Sequence, residues 1–288
     1  MNLNKLDSLI ALLDDPDDSV FHVVLDELLK EDVSVVEYLE HAWEISLDDL
    51  VQQRLEGIIR EIQLKDTRKK IVSWADQESI DLLEAVFLLA RQQFPEIKLK
   101  SVQVQLDKLR KEVWIEFRNS LTSIEKITIL NHIFFDHYKF KVDHFNPESP
   151  NNSYINKILD TKRGNSVSIA ILYMLVARSL SLPVYYIDYQ QNPLLGYFDE
   201  TIAPLVYGDD VKHSLLFYIN PSNNGAIIGL KEVDYILHTS NNHDRAQLTE
   251  KCPEKMIVKR LIEKLIISYK ELGHNEKVNY LSDIVAIL

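Results

Sequence analysis

From Ser166 to Leu182 the chain reads SVSIAILYMLVARSLSL, an apolar run broken only by hydroxyl side chains and Arg178. A helix that is apolar on every side has to be buried on every side. The remainder of a domain must therefore be built around this segment. The turn Arg163-Gly164-Asn165 precedes it and Pro183 follows it, which puts Ser166 in the first helical turn and opens a strand beyond the last one. After Pro183 the composition turns to β-branched and aromatic residues. Strands are expected over 184–189, 194–198, 203–207 and 214–219, with Gly208-Asp209-Asp210 as a turn, and together they imply an antiparallel sheet. Asn220-Pro221 ends the last strand, and a helix is expected over 230–237.

Upstream the pattern is helical. Leu6, Leu9, Ile10 and Leu13 form one stripe at three-to-four spacing, and Leu50, Leu55, Ile58, Ile59 and Ile62 form another. Asp18 and Ser19 offer caps to a helix starting near Val20, and Asp14-Asp15-Pro16 and Ser46 punctuate the region. Residues 65–78 are charged and weakly patterned, which predicts a linker. Helices resume over 80–91, 102–117 and 124–138, the last opened by Thr122 or Ser123 with Glu125. The Asn- and Pro-bearing stretch 139–151 reads as an ordered loop. From Met256 onward two amphipathic helices flank Gly273, a natural left-handed stop.

Composition excludes several function classes. The formal charge is -12 and the pI about 5.2, opposite to what a phosphate-backbone binder needs. The single cysteine, Cys252, excludes an intrachain disulfide and any Cys-based metal cluster, and its place beside Pro253 marks it as incidental rather than reactive. No apolar run reaches the roughly 20 residues of a membrane span. The first residues are acidic where a secretory cleavage site would be small and neutral, so the cytoplasm is the expected compartment. His132 and Asp136 share a helix face and His144 lies downstream, but without an HExxH pattern or a defined third ligand no metal and no cofactor is expected.

Two N-terminal pieces, LIALLDDPDDSVFHVVLDELL and VVEYLEHAWEISLDDLVQQRLEGII, resemble HEAT-like helix pairs, and RLIEKLIISYKELGHNEKVNYLSDIVAIL resembles one tetratricopeptide-type hairpin. Between them LLEAVFLLARQQFPE, LNHIFFDHYKF, NSYINKILDTKRGN and FYINPSNNGAI occur in an order that resembles the SirB-type transglutaminase-like family. That resemblance implies an α+β fold with a transglutaminase/papain-like core, a helix carrying the nucleophile position packed on an antiparallel sheet. It also implies three parts: a helical arm over 1–64, the core over 65–245 and a helical hairpin over 246–288.

In active relatives of that family a Cys, a His and an Asp form the catalytic triad. The corresponding places here hold Ser166, Asn192 and Asn220. An amide can neither take up nor return a proton near neutral pH, and an unassisted serine hydroxyl is a poor nucleophile. The resemblance thus implies a degenerate, non-catalytic member acting as a protein- or peptide-binding scaffold, its old cleft formed by Ser166, Asn192, Asn220, Tyr189 and Tyr197. The alternative is a hydrolase or acyltransferase that uses Ser166 with a displaced base such as His213 or His144. Two structural readings compete at the same site: the Ser166 hydroxyl as cap of a helix starting at Val167, and Gly164 as a backbone angle that other residues resist.

Overall fold

The first stripes of leucine and isoleucine fold into α1 (Leu3–Ala11), α2 (Asp18–Leu28), α3 (Val36–Ile45) and α4 (Asp49–Ala75). In this computed structural model residues 3–77, 81–189, 193–208, 213–233 and 247–288 are described. The chain divides into two units, Met1–Asp76 with Arg91–Pro95, and Gln77–Ala90 with Glu96–Leu288.

The first unit packs Leu6, Leu13, Val24, Leu28, Leu39, Leu55, Ile58 and Ile62 into one core. Its α2 is capped by Asp17, whose carboxylate accepts the Ser19 N–H at 2.8 Å, one residue earlier than the sequence suggested. Arg54 is the polar clamp of this unit. Its guanidinium is buried, donates to the carbonyls of Leu13 (3.0 Å) and Asp15 (2.6 Å), reaches Asp18 at 3.2 Å and lies over the Phe21 ring. It thereby satisfies carbonyls that the Pro16 break leaves without helical partners.

The linker expected over 65–78 is instead helix through Ala75. Thr67, Ile71 and Trp74 keep a buried stripe going at three-to-four spacing. The charges that dilute the pattern are also used: Lys70 pairs with Asp66 one turn away at 2.6 Å, and Lys65 donates to the Leu29 carbonyl at 2.6 Å.

The second unit holds α5 (Leu82–Gln93) as far as Ala90, then α6 (Leu99–Glu116) and α7 (Ser123–Asn131). A capping box opens α7: the Thr122 hydroxyl accepts the Glu125 N–H at 3.3 Å and the Glu125 carboxylate accepts the Thr122 N–H at 2.8 Å. The helix then widens into a π turn, His132–His137, closed by the Tyr138 N–H on the Ile133 carbonyl at 2.9 Å. The loop that follows contains β1 (Lys141–Val142) and a 3-10 turn at Pro150–Ser153, then come α8 (Ile155–Thr161) and β2 (Arg163–Gly164), which pairs parallel with β1.

Next comes α9 (Ser166–Ser179), the expected all-round buried helix: every side chain from Ser166 to Met174 is buried. It packs on α6, α8 and a sheet of order β3-β4-β5-β6, formed by Val184–Ile187, Leu194–Phe198, Leu215–Asn220 and Ala226–Ile228, all antiparallel. The sheet face away from α9 is covered by its own cluster of Leu194, Phe198, Leu215, Tyr218, Val233 and Leu248. Gly196 lies where neighbours crowd this face: a Cβ there would meet Phe198, Ile187 and Leu215 at 2.6–2.7 Å.

The strand expected over 203–207 is a short helix, α10 (Ile202–Tyr207). Asp199 accepts the Thr201 and Ile202 N–H groups at 2.9 and 3.0 Å, which nucleates the turn. Pro204 has no N–H to lose in a first helical turn but would break a sheet ladder. The turn expected at Gly208-Asp209-Asp210 lies largely outside the described residues, as does the helix expected over 230–237, of which 230–233 are helical.

Two helices close the chain, α11 (Glu254–Glu271) and α12 (Asn275–Ile287), hinged at Gly273 with φ +73° as anticipated. The architecture is α+β, mostly helical with a small antiparallel sheet. Among the described residues no helix is long and apolar enough to cross a membrane.

Candidate functional site

The site begins with the backbone that leads into α9. Lys162 takes a left-handed conformation, φ 61°, and ends α8; β2 follows for two residues, and Asn165 then starts α9. Asn165 rather than Ser166 is the cap. Its side-chain carbonyl accepts the Ser168 N–H at 2.9 Å, and its side-chain amide donates to the Ser153 hydroxyl at 2.7 Å. The N-cap position wants a short acceptor with extended backbone, and Asn165 has φ -84° and ψ 173°. Ser166 is displaced by one position into the helix proper, with its side chain buried.

Around that cap the polar groups are spent on one another. The Ser168 hydroxyl donates to the Asn152 carbonyl at 2.6 Å, the Asn165 N–H donates to the same carbonyl at 3.0 Å, and the Asn152 side-chain amide donates to the Asn146 carbonyl at 2.8 Å. Asp143, nearly buried, accepts the N–H groups of Phe145 and Asn146 at 3.1 and 3.3 Å, with Arg163 at 3.8 Å. The loop expected to be ordered is therefore ordered by amides and hydroxyls.

Gly164 has a role other than the one its sequence context suggests. Its φ is not positive; instead, a Cβ there would lie 2.5 Å from the Ser168 hydroxyl and 3.2 Å from Ile169. Close approach of the loop to α9 is what excludes a side chain.

Asn220 ends β5, where its side-chain carbonyl accepts the Ser222 N–H at 3.1 Å and caps the 3-10 turn Pro221–Asn223, which packs against α9. Tyr197 is buried in the sheet and stacked on Phe217 with centroids 5.1 Å apart, a packing position. Tyr189 is half-buried against the outer cluster of the sheet. Asn192 lies outside the described residues. His144 is exposed on the loop before α8, and His213 is half-buried ahead of β5 with its ring 6.4 Å from Tyr207.

Several polar residues that hold this region together were not legible from the sequence. The buried Tyr173 hydroxyl of α9 donates to the Asn131 side-chain carbonyl at 2.7 Å, and the Asn131 side-chain amide donates to the Gly225 carbonyl at 2.7 Å, joining α9, α7 and the β5–β6 turn. Burial holds the Tyr173 phenol neutral, well above its ordinary range. Arg260 of α11 grips Asp188 beyond β3 at 2.7–3.1 Å, and Arg178 pairs with Glu254 at 2.9 Å while lying over Tyr185. The Cys252 N–H donates to the Tyr186 carbonyl at 2.8 Å, while burial, and secondarily Asp188, push its thiol up to about 12. A thiol so raised is a poor nucleophile.

A family model described as the transglutaminase-like superfamily matches residues 100–264. The UPF0162 protein of Xylella fastidiosa (strain Temecula1) is 29% identical over 113 residues, which are 38% of this chain and 39% of that protein. The UPF0162 protein PM0557 of Pasteurella multocida is 32% identical over 77 residues, 26% of this chain and 28% of the relative. F-box only protein 21 of Mus musculus is 23% identical over 154 residues, 54% of this chain and 23% of the relative. The chain thus spans less than two fifths of the length of each of these relatives. No solved structure matches it.

Proposed function

Because this chain belongs to the transglutaminase-like superfamily, we propose that it is a non-catalytic member of SirB type that acts as a cytoplasmic protein- or peptide-binding module. The observation that carries this reading is the network of amide and hydroxyl hydrogen bonds at the N-terminus of α9. Where the superfamily's chemistry would need a thiolate and a proton shuttle, the polar groups are the Asn165, Asn152 and Ser168 side chains, bonded to loop and helix backbone and, for Asn165, to the Ser153 hydroxyl. The acid position is occupied by Asn220, whose acceptor caps a turn. The base position holds Asn192, an amide without a transferable proton at neutral pH.

What remains of the inherited scaffold is a helix-on-sheet body. On this reading its N-terminal helices serve as a HEAT-like arm and α11 with α12 as a tetratricopeptide-like hairpin, both presenting surfaces to a polypeptide partner. An absent reaction and a present binding role are separate claims, so each has its own measurement. The full chain should show no acyl transfer from a glutamine peptide to an amine, no peptide hydrolysis and no adduct with a fluorophosphonate probe. Turnover or labelling abolished by Ser166→Ala would overturn the non-catalytic reading. An immobilised library of short peptides should retain the full chain; failure of every peptide would overturn the binding reading.

A further inference from the structure

We propose that an open groove on the second unit, formed by α6, α7 and the π turn that follows, is a docking site for a Lys- or Arg-bearing amphipathic helix of a partner protein. The inference goes beyond the reading above, because its residues are not those at the start of α9.

The groove encloses about 620 Å³, within the range of sites that hold a ligand. Its floor is aliphatic, made by Ile129 and Ile133, and Ile115 at its edge is 71% exposed. One wall is acidic. Glu112 and Glu116 lie four residues apart on α6, so their carboxylates line the same side one turn apart. Glu112 is held in place by the Tyr138 hydroxyl, which donates to it at 2.7 Å, and it faces His137 at 3.7 Å.

The opposite wall depends on the π turn. In an α-helix residues five apart diverge, whereas a hydrogen bond spanning five residues closes one turn, so His132 and His137 both reach the groove. Single π turns within helices are concentrated at functional sites, since the extra residue costs hydrogen-bond geometry for no gain in packing. Asp136 lies 3.2 Å from His132 and adds a third carboxylate near this wall.

The chemistry of the occupant follows from the lining. Lys and Arg are absent from it, while two carboxylates stand over an aliphatic floor. A helix with basic residues at i and i+4 and leucines on its adjoining face matches both the spacing of Glu112 and Glu116 and the apolar floor. A second copy of this chain is a poorer match, because each copy carries -12.

The test uses the full chain and a fluorescein-labelled model helix of about 16 residues, long enough to be helical when bound, with Arg at i and i+4 and Leu on the neighbouring face. A control peptide keeps the leucines and replaces Arg by Glu. Fluorescence anisotropy should show saturable binding of the Arg peptide, weakened by added salt, and at least tenfold weaker binding of the control. Glu112→Gln with Glu116→Gln should weaken the Arg peptide by about three- to tenfold, the range for losing two partly exposed ion pairs. Ile115→Arg, at an exposed position that folding tolerates, should weaken it further, while Leu205→Ser, exposed and outside the groove lining, should leave it unchanged. Equal binding of both peptides, or affinity indifferent to these substitutions, would overturn the proposal. Concentration-dependent dimerisation abolished by Ile115→Arg would also overturn it, in favour of self-association.

Discussion

Gly164 shows how much one missing methyl group decides at the start of α9. A Cβ would press on the Ser168 hydroxyl, and that hydroxyl has nowhere to go because it is bonded to the Asn152 and Asn165 carbonyls at 2.6 and 3.1 Å. Gly164→Ala should therefore destabilise the protein by about 1–3 kcal/mol, the usual cost of overpacking. Urea unfolding measures it, and a change under about 0.5 kcal/mol would show that the loop yields. Cys252 gives a prediction with a pH sign. Its thiol titrates near 9 when free and is pushed up to about 12 in the folded chain, first by burial. The folded state thus keeps a proton that the unfolded state has lost, so stability is intact below pH 9 and falls as pH rises from 9 toward 12. At pH 8 iodoacetamide should alkylate Cys252 at least tenfold more slowly in the native chain than in urea, because the thiolate is the reactive form. Equal rates would refute the burial argument. At this scale the sequence was legible for residue type but not for role. It offered Ser166 as the cap, and the structure uses Asn165; both can cap, and only the position of Ser153 and Asn152 decides which does.

At the scale of elements, periodic apolar spacing was legible where one environment covers a whole face, as in α9 and strands β4 and β5. It failed where charge dilutes the pattern or one residue changes the hydrogen-bonding rule. Helix α4 is the clearest instance, since 65–75 carry Lys65, Asp66, Arg68, Lys69 and Lys70 yet continue the helix on the buried positions Thr67, Ile71 and Trp74. A linker and a helix respond oppositely to proline. Lys69 is exposed, so Lys69→Pro removes no core contact; it should cost about 3 kcal/mol if the helix is continuous. Thermal unfolding followed by circular dichroism distinguishes the two, and a loss under about 0.5 kcal/mol would favour a linker. The segment at 202–207 erred in the other direction. Its β-type composition was read correctly, but Asp199 and Pro204 dictate a helical first turn that composition does not register. Asn192 and residues 234–246 lie outside the described residues.

At the scale of the second unit, the closing hairpin is bound into the core by polar contacts that no local pattern announces. The Tyr154 and Tyr269 hydroxyls meet at 2.7 Å with both rings buried, tying the segment before α8 to α11 across 115 residues. Arg260 holds Asp188, Arg178 holds Glu254, and Ile257, Leu261, Ile262 and Leu265 of α11 are fully buried. A hairpin attached only by its chain would melt independently; one that supplies buried aliphatic side chains to the packing of α9 cannot leave without exposing them. Removing residues 253–288 should therefore abolish the cooperative unfolding transition of the second unit rather than leave it intact. Because a truncated chain can fail for reasons unrelated to docking, the tyrosine pair supplies the milder test. Tyr154→Phe and Tyr269→Phe each remove one of the two hydroxyls that meet here, and the double variant removes both. A double-mutant cycle should give a coupling of about 1 kcal/mol, with the double variant less damaged than the sum of the singles. Strict additivity, together with a truncated chain that still unfolds cooperatively, would mean that α11 and α12 form a separate appendage rather than part of the body that supports α9.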